Sequence, residues 1–394
     1  MGSESSSSSS PPRNLLYLTT GSVVFVLISI CAFSSLSNRT SWVPPPQSQV
    51  TLQIPACNYT DGEWVQGRTD EEYLAWRWQP NDCRLPRFHP PTFFDLMQNK
   101  HVAFVGDYAA RNQFESLFCM LSKSSEPEHV YGSEKASGRW RFPDHNLVFS
   151  FYYSPFLVKG DEKNRINRNN RIFLDEIDAA WTAELKDVDV LLLSAGHSFL
   201  YPSEYYQQNK LLGCHALETC NNNNITVHYA MGRALETAFG EVVKSRKKWY
   251  GHSGRDLSVF FTTFSPDHYE GDFDGIGVCQ RTQPYNRTYN ALGGMNAEMR
   301  RTQMEKVEEA RKRSGGAVSV EALDITELAW LRPDGHPGPF FYYIPSPEEL
   351  SEKIKNECVK WCLPGPVDTW NEILLDVMTN RNGRRSQLRI NLQD

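Results

Sequence analysis

One side chain in this sequence is set out for chemistry by what surrounds it. His101–Val105 is a short apolar run with β-branched and aromatic residues, the pattern of a buried strand. Gly106–Asp107 breaks the run, and Phe114, Leu117, Phe118 and Leu121 then recur at helical spacing. Strand, glycine turn and helix in that order present one residue at the carboxyl edge of an α/β sheet. Here that residue is Tyr108. A phenol, with a reference pKa of about 10, becomes a nucleophile only when something takes its proton.

The cysteines are the second chemical resource. Cys31 lies inside an apolar run and reads as a buried thiol. The others are Cys57, Cys83, Cys119, Cys214, Cys220, Cys279, Cys358 and Cys362, and they read as disulfide formers of an oxidising compartment. Cys214 and Cys220 are close enough in sequence to close a small local loop. Cys358-x-x-x-Cys362 lacks a second close-spaced Cys or His pair to complete a four-ligand set, so no metal is expected.

The elements that must position these groups follow from the pattern of the chain. Asn146–Phe156, Asp189–Ser194, Leu257–Phe264 and Val318–Ile325 read as strands. Ile225–Arg246, Met295–Arg313 and Val367–Thr379 read as helices, the second with its basic residues on a wet face. Strands alternating with helices predict a mostly parallel sheet flanked by helices on both faces, an α/β fold. A 40% hydrophobic content suits one large core, and a formal net charge of −6 gives no electrostatic reason to expect nucleic acid as a partner. The basic clusters Lys244–Lys248 and Arg381–Arg385 read as solvated surface charge.

Residues 1–14 form a serine-rich polar tail, expected to be cytosolic. Leu15–Leu36 then runs without a charge and is long enough to cross a bilayer, so residues 15–37 are expected to be a transmembrane signal anchor. Residues 38–56, with Pro44–Pro46, read as a stem. Asn58, Asn224 and Asn286 each open an Asn-x-Thr acceptor site for glycosylation. With the cysteines they place the body, residues 57–394, in a lumen, as in a single-pass type II protein.

FVGDYAARNQFESLFCML resembles the first block of the plant trichome birefringence-like family, in which GDS is followed by xxRNQ. NECVKWCLPGPVDTWNE, Asn356–Glu372, resembles the family's DCxHWCLPGxxDxWN signature, and SAGHSF, SPDHY and RPDGHPG resemble further blocks. The likeness runs from about Cys57 to the end of the chain. It implies an SGNH-hydrolase-like fold with a disulfide-bonded amino-terminal lobe, and Golgi polysaccharide O-acetyltransferase chemistry with xyloglucan or another hemicellulose as polymer. Plant cell-wall polysaccharide, the Golgi membrane and other acetylation-pathway proteins are the partners it implies. It also implies Cys57–Cys83 and Cys279–Cys358 bridges. Cys119 and Cys362 would join two cysteines that this chain lacks, so they are expected to pair with each other or stay reduced. The chain departs from the family pattern at the family's serine, aspartate and histidine, where Tyr108, Glu357 and Lys360 stand.

In the family the serine is activated by an imidazole that a carboxylate orients. Lysine, with a reference pKa of about 10.4, carries its proton at neutral pH, and a neighbouring glutamate favours that state. The Tyr108 ring also carries its oxygen several ångströms beyond the place of a serine Oγ, where oxyanion donors would no longer meet the carbonyl. The expectation is therefore a family member impaired in catalysis, a glycan-binding or regulatory protein. Its alternative is an active enzyme with an unconventional tyrosine nucleophile, using an acetyl-CoA-derived donor and no bound cofactor. By the same resemblance, Gly106, Asp107, Arg111, Asn112, Gln113, His197 and His336 are candidates for substrate or oxyanion support. His268 joins His197 and His336 as a possible substitute base. Trp64, Trp76, Trp78, Trp361 and Trp370 read as core before they read as sugar platforms.

Overall fold

A computed structural model describes residues 58–66, 72–132, 137–162, 169–218, 220, 225–246, 248, 257–270, 279, 281–316, 318–338 and 357–390. The tail, the apolar run of residues 15–37, the stem, Cys57 and Asn224 lie outside them. Among the described residues no helix is long and apolar enough to cross a membrane.

The amino-terminal hairpin pairs β1 (Gly62–Gln66) with β2 (Trp76–Pro80) in antiparallel register. Helix α1 (Pro90–Met97) follows, started by the two prolines that suit a helix's first positions. Then come β3 (His101–Gly106), α2 (Tyr108–Ser122), β4 (Glu128–Gly132), β5 (Ser137–Phe142) and β6 (Leu147–Tyr153). The chain continues through β7 (Val158–Asp161), β8 (Asn170–Ile177), the short α3 (Ala179–Thr182) and β9 (Val190–Ser194). After these lie β10 (Ser203–Gln207), β11 (Lys210–His215), α4 (Val227–Ser245), β12 (Ser258–Thr262) and α5 (Gly294–Ser314). The last elements are β13 (Ser319–Leu323), α6 (Thr326–Trp330) and α7 (Pro366–Ile390).

The main sheet has seven strands in the order β13-β12-β9-β3-β6-β5-β4. From β13 to β6 the neighbours are parallel, and β5 and β4 close one edge antiparallel. Strand β3 is buried along its whole length at the centre, which is why its sequence is a continuous apolar run. Its side chains alternate between two cores. Ala103 and Val105, with Leu191, Leu193, Val259 and Phe261, pack on the α4 and α5 side. Val102 and Phe104, with Leu192 and Phe260, pack on the side of α1, α2 and α7, where Trp78, Trp361 and Trp370 are also buried. These three tryptophans are core, not exposed sugar platforms. The second sheet, β11-β10-β8-β7, was not foreseen from the pattern; its Val158, Ile172, Leu174 and Tyr205 extend the first core.

Two disulfides are closed among the described residues. Cys214–Cys220 makes the small local loop, and Cys279–Cys358 joins segments 79 residues apart with Cα atoms 5.7 Å from each other. Cys83 and Cys119 are disulfide-bonded as well. Cys362 is free, and burial pushes its thiol up to about 12. The expectation that Cys119 and Cys362 would pair together or both stay reduced is therefore corrected. The Cys119 sulfur is already committed, while the Cys362 backbone is pinned in a turn by its N–H bond to Gly335 O, 2.8 Å.

Candidate active site

Everything at the site begins with the turn after β3. Gly106 has φ +152°, and a Cβ there would lie 1.8 Å from Ser194 O, so only glycine lets the chain pass this close to β9. Asp107 then caps α2. One carboxylate oxygen accepts the Ala109 N–H at 3.0 Å, and the other accepts those of Gly196 at 2.9 Å and His197 at 3.2 Å. This carboxylate is fully buried, and burial pushes its pKa above the usual range even though three N–H bonds and His197 pull it down. The cap thus binds the first turn of α2 to the segment after β9, and it stabilises the helix start as an N-terminal acceptor should.

Tyr108 is the first residue of α2, at the carboxyl edge of the sheet. Lys360 and Glu357 reach it from the far end of the chain. The Lys360 ammonium lies over the Tyr108 ring, 4.9 Å from the centroid, and is 3.5 Å from Glu357 Oε2. Glu357 Oε1 accepts the N–H groups of Val359 and Lys360 at 3.1 and 3.0 Å, which folds residues 357–360 into a tight turn. That turn is fastened from outside by the Cys279–Cys358 disulfide and by the bridge between Glu357 and Gly338. The next residue, Trp361, gives its N–H to Asn112 Oδ1 at 3.2 Å and its indole N–H to Ser265 Oγ at 2.7 Å.

The RNQ residues support the frame. Arg111 pairs with Glu115 one turn along α2, at 2.8 Å. Gln113 is buried, accepts the Thr262 hydroxyl at 2.7 Å on its side chain, and accepts the Asn371 side-chain N–H on its backbone oxygen. Asn112 holds Trp361 as described. Two of the three residues therefore tie α2 to elements that come much later in the chain.

The imidazoles are committed elsewhere. His197 Nε2 donates to Ser265 O, with its ring 4.8 Å from that of Phe264. His268 donates to Trp330 O at 2.8 Å and meets His336 at 2.7 Å, and His336 Nδ1 bonds Lys360 O at 2.7 Å. Burial takes His268 down to about 4 and His336 well below the usual histidine range. Their rings contact indoles and one another, not the Tyr108 phenol.

Sequence reasoning missed the groups that do face Tyr108. Tyr153, at the carboxyl end of β6, has its ring centroid 5.8 Å from that of Tyr108. It donates to Glu162 at 2.7 Å, and Ser198 donates to the other oxygen of the same carboxylate at 2.8 Å. Burial, Glu162 and Tyr108 together push the Tyr153 phenol far up, so it stays protonated. Tyr201, pushed up to about 12 by burial, senses both Tyr108 and Glu357. The available signal was positional: Tyr153 ends the strand adjacent to β3, which brings it to the same sheet edge.

Residues 85–377 match the PC-Esterase family, a "GDSL/SGNH-like Acyl-Esterase family found in Pmr5 and Cas1p". The chain is 42% identical over 374 residues to Xyloglucan O-acetyltransferase 1 of Populus trichocarpa, covering 88% of this chain and 84% of that protein. It is 40% identical over 351 residues to Xyloglucan O-acetyltransferase 1 of Arabidopsis thaliana, covering 82% and 80% respectively. Protein trichome birefringence-like 25 of Arabidopsis thaliana is 36% identical over 365 residues, covering 88% of this chain and 77% of that protein.

Proposed function

Because the chain belongs to the PC-esterase family of GDSL/SGNH-like proteins, we propose that it serves the O-acetylation of a plant cell-wall polysaccharide, with xyloglucan the favoured polymer, as a glycan-holding member that does not itself transfer acetyl. One observation carries this reading: the base position holds an ammonium lying over the ring of Tyr108, and the neighbouring imidazoles are bonded to backbone carbonyls. An ammonium over a ring face acts through the ring's quadrupole, and gives the phenol oxygen no acceptor for its proton. Glu357 holds Lys360 in place but cannot turn it into a base.

The body works in a lumen, and the protein is a single-pass type II protein of the Golgi membrane. Cysteines held as disulfides support an oxidising compartment. Asn58 and Asn286 are both exposed, each accepting from its own threonine two residues on, which leaves the acceptor sites accessible. Glycosidase treatment that leaves electrophoretic mobility unchanged would overturn the lumenal placement.

The test of function is an acetyl-transfer assay on de-acetylated xyloglucan beside a binding measurement with the same polymer. Binding without transfer is the expected result. Tyr108→Ser alone and Lys360→His alone stay inactive, while both together with Glu357→Asp restore measurable transfer, since triad members act as a unit. Transfer by the unaltered chain that Tyr108→Phe abolishes would refute the reading and establish the tyrosine nucleophile.

A further inference from the structure

Beneath the turn that carries Lys360, two buried histidines stand in line between two backbone carbonyls. The contacts are Trp330 O to His268 Nε2 at 2.8 Å, His268 Nδ1 to His336 Nε2 at 2.7 Å, and His336 Nδ1 to Lys360 O at 2.7 Å. A carbonyl oxygen only accepts, so each outer nitrogen must carry a proton. Two neutral rings then have no proton left, and their inner nitrogens face each other as two lone pairs at hydrogen-bond distance. Three contacts need three protons, and a neutral pair has two.

We propose that His268 and His336 form a proton-binding site that takes up one shared proton in acidic solution and thereby locks the Lys360 turn. All three contacts are met together only in that state. The rings are also placed to favour it. His268 stacks on Trp330 at 5.2 Å with 18° between planes, and His336 lies 4.2 Å from Trp361, so an imidazolium in the pair would meet an indole on each side. Burial and the positive influence of His197 and Arg281 oppose the proton. The remaining charged neighbours bear on it less. Arg332 and Asp334 neutralise each other in a buried pair at 2.8 Å, Lys360 and Glu357 pair at 3.5 Å, and the Tyr285 ring is 5.8 Å from His268. In neutral solution one of the three contacts lacks its proton and the line is broken there. In acid the line is complete from α6 to Lys360. The proposal is independent of whether the site transfers acetyl.

The experiment is a pH titration of the full chain labelled with 15N in its histidine rings, followed from about pH 7.5 to about pH 3.5, through and below the usual histidine range. The expected result is that two rings titrate as one event, gaining a single proton that is exchange-protected and shifted far downfield. Tryptophan emission falls in step, because an imidazolium in contact quenches an indole. His268→Gln and His336→Gln each remove both signals. Two rings that stay neutral across the range, or that titrate separately, overturn the proposal. So does an emission change that survives in both variants. Should a variant fail to fold, the spectrum of the unaltered protein decides the question by itself.

Discussion

Replacing Asp107 by alanine should be among the most damaging single changes available in this fold. The side chain is fully buried and accepts three backbone N–H groups, those of Ala109, Gly196 and His197. Alanine leaves all three without their side-chain acceptor. A buried donor left unsatisfied costs about 1–3 kcal/mol, so the gross loss is about 3–9 kcal/mol. Against this stands the relief of no longer burying a carboxylate, whose raised pKa shows that its desolvation is incompletely repaid. A net loss of about 3–5 kcal/mol follows. Asp107→Asn keeps one oxygen but turns an N–H₂ toward the remaining donor, so it should cost about half as much. Urea unfolding followed by far-ultraviolet circular dichroism reads both changes as shifts in midpoint at constant slope. If Asp107→Ala lies within about 1 kcal/mol of the parent, the cap does not hold the turn and the account of how Tyr108 is positioned is wrong.

Gly106→Ala should fail to accumulate as folded protein, since its Cβ would lie 1.8 Å from Ser194 O at a φ of +152°; a normal yield with unchanged thermal midpoint would contradict this. His101, buried and taken down to about 4, binds its proton in the unfolded chain at about 6.5, so stability is whole above that value and drains away as pH falls toward 4. The difference amounts to about 3 kcal/mol, and His101→Gln, which can still serve Ser150, should remove that share of the pH dependence over that window. Glu357→Gln should weaken the hold on the Lys360 ammonium while keeping an acceptor for the Val359 and Lys360 N–H groups; the fold survives and polymer binding weakens, and unchanged binding would show that the pair does not meet the polymer.

The local pieces of this protein were legible because their causes are local. A continuous apolar run, a glycine and a helical repeat predicted β3, the turn and α2, and all three stand at those residues. The charged helix at 294–314 carries ion pairs between its own turns, such as Arg301 with Glu298 and Glu305, as a wet face should. The motif likeness went further and located Glu357 and Lys360, though not their geometry. What the order of residues along the chain could not express is which groups meet across the fold. Tyr108 and Lys360 are 252 positions apart in the sequence yet lie ring to ammonium, because β3 and the turn before α7 end at the same edge of the sheet. Tyr153 and Glu162 face that edge for the same reason, and no spacing in the sequence marked them. The His268–His336 pair is the sharpest instance. Each histidine alone reads as a satisfied core residue, and only their 2.7 Å contact between two carbonyls creates a missing proton. Propensity and periodicity act over a few residues, so the sequence by itself determined the central strands, the turn, the long helices and the identity of the substituted groups, while the short strands of the second sheet carried no such signal. Hydrogen-bond supply and demand is settled by proximity in space, so only the tertiary structure decided what those groups can do to one another.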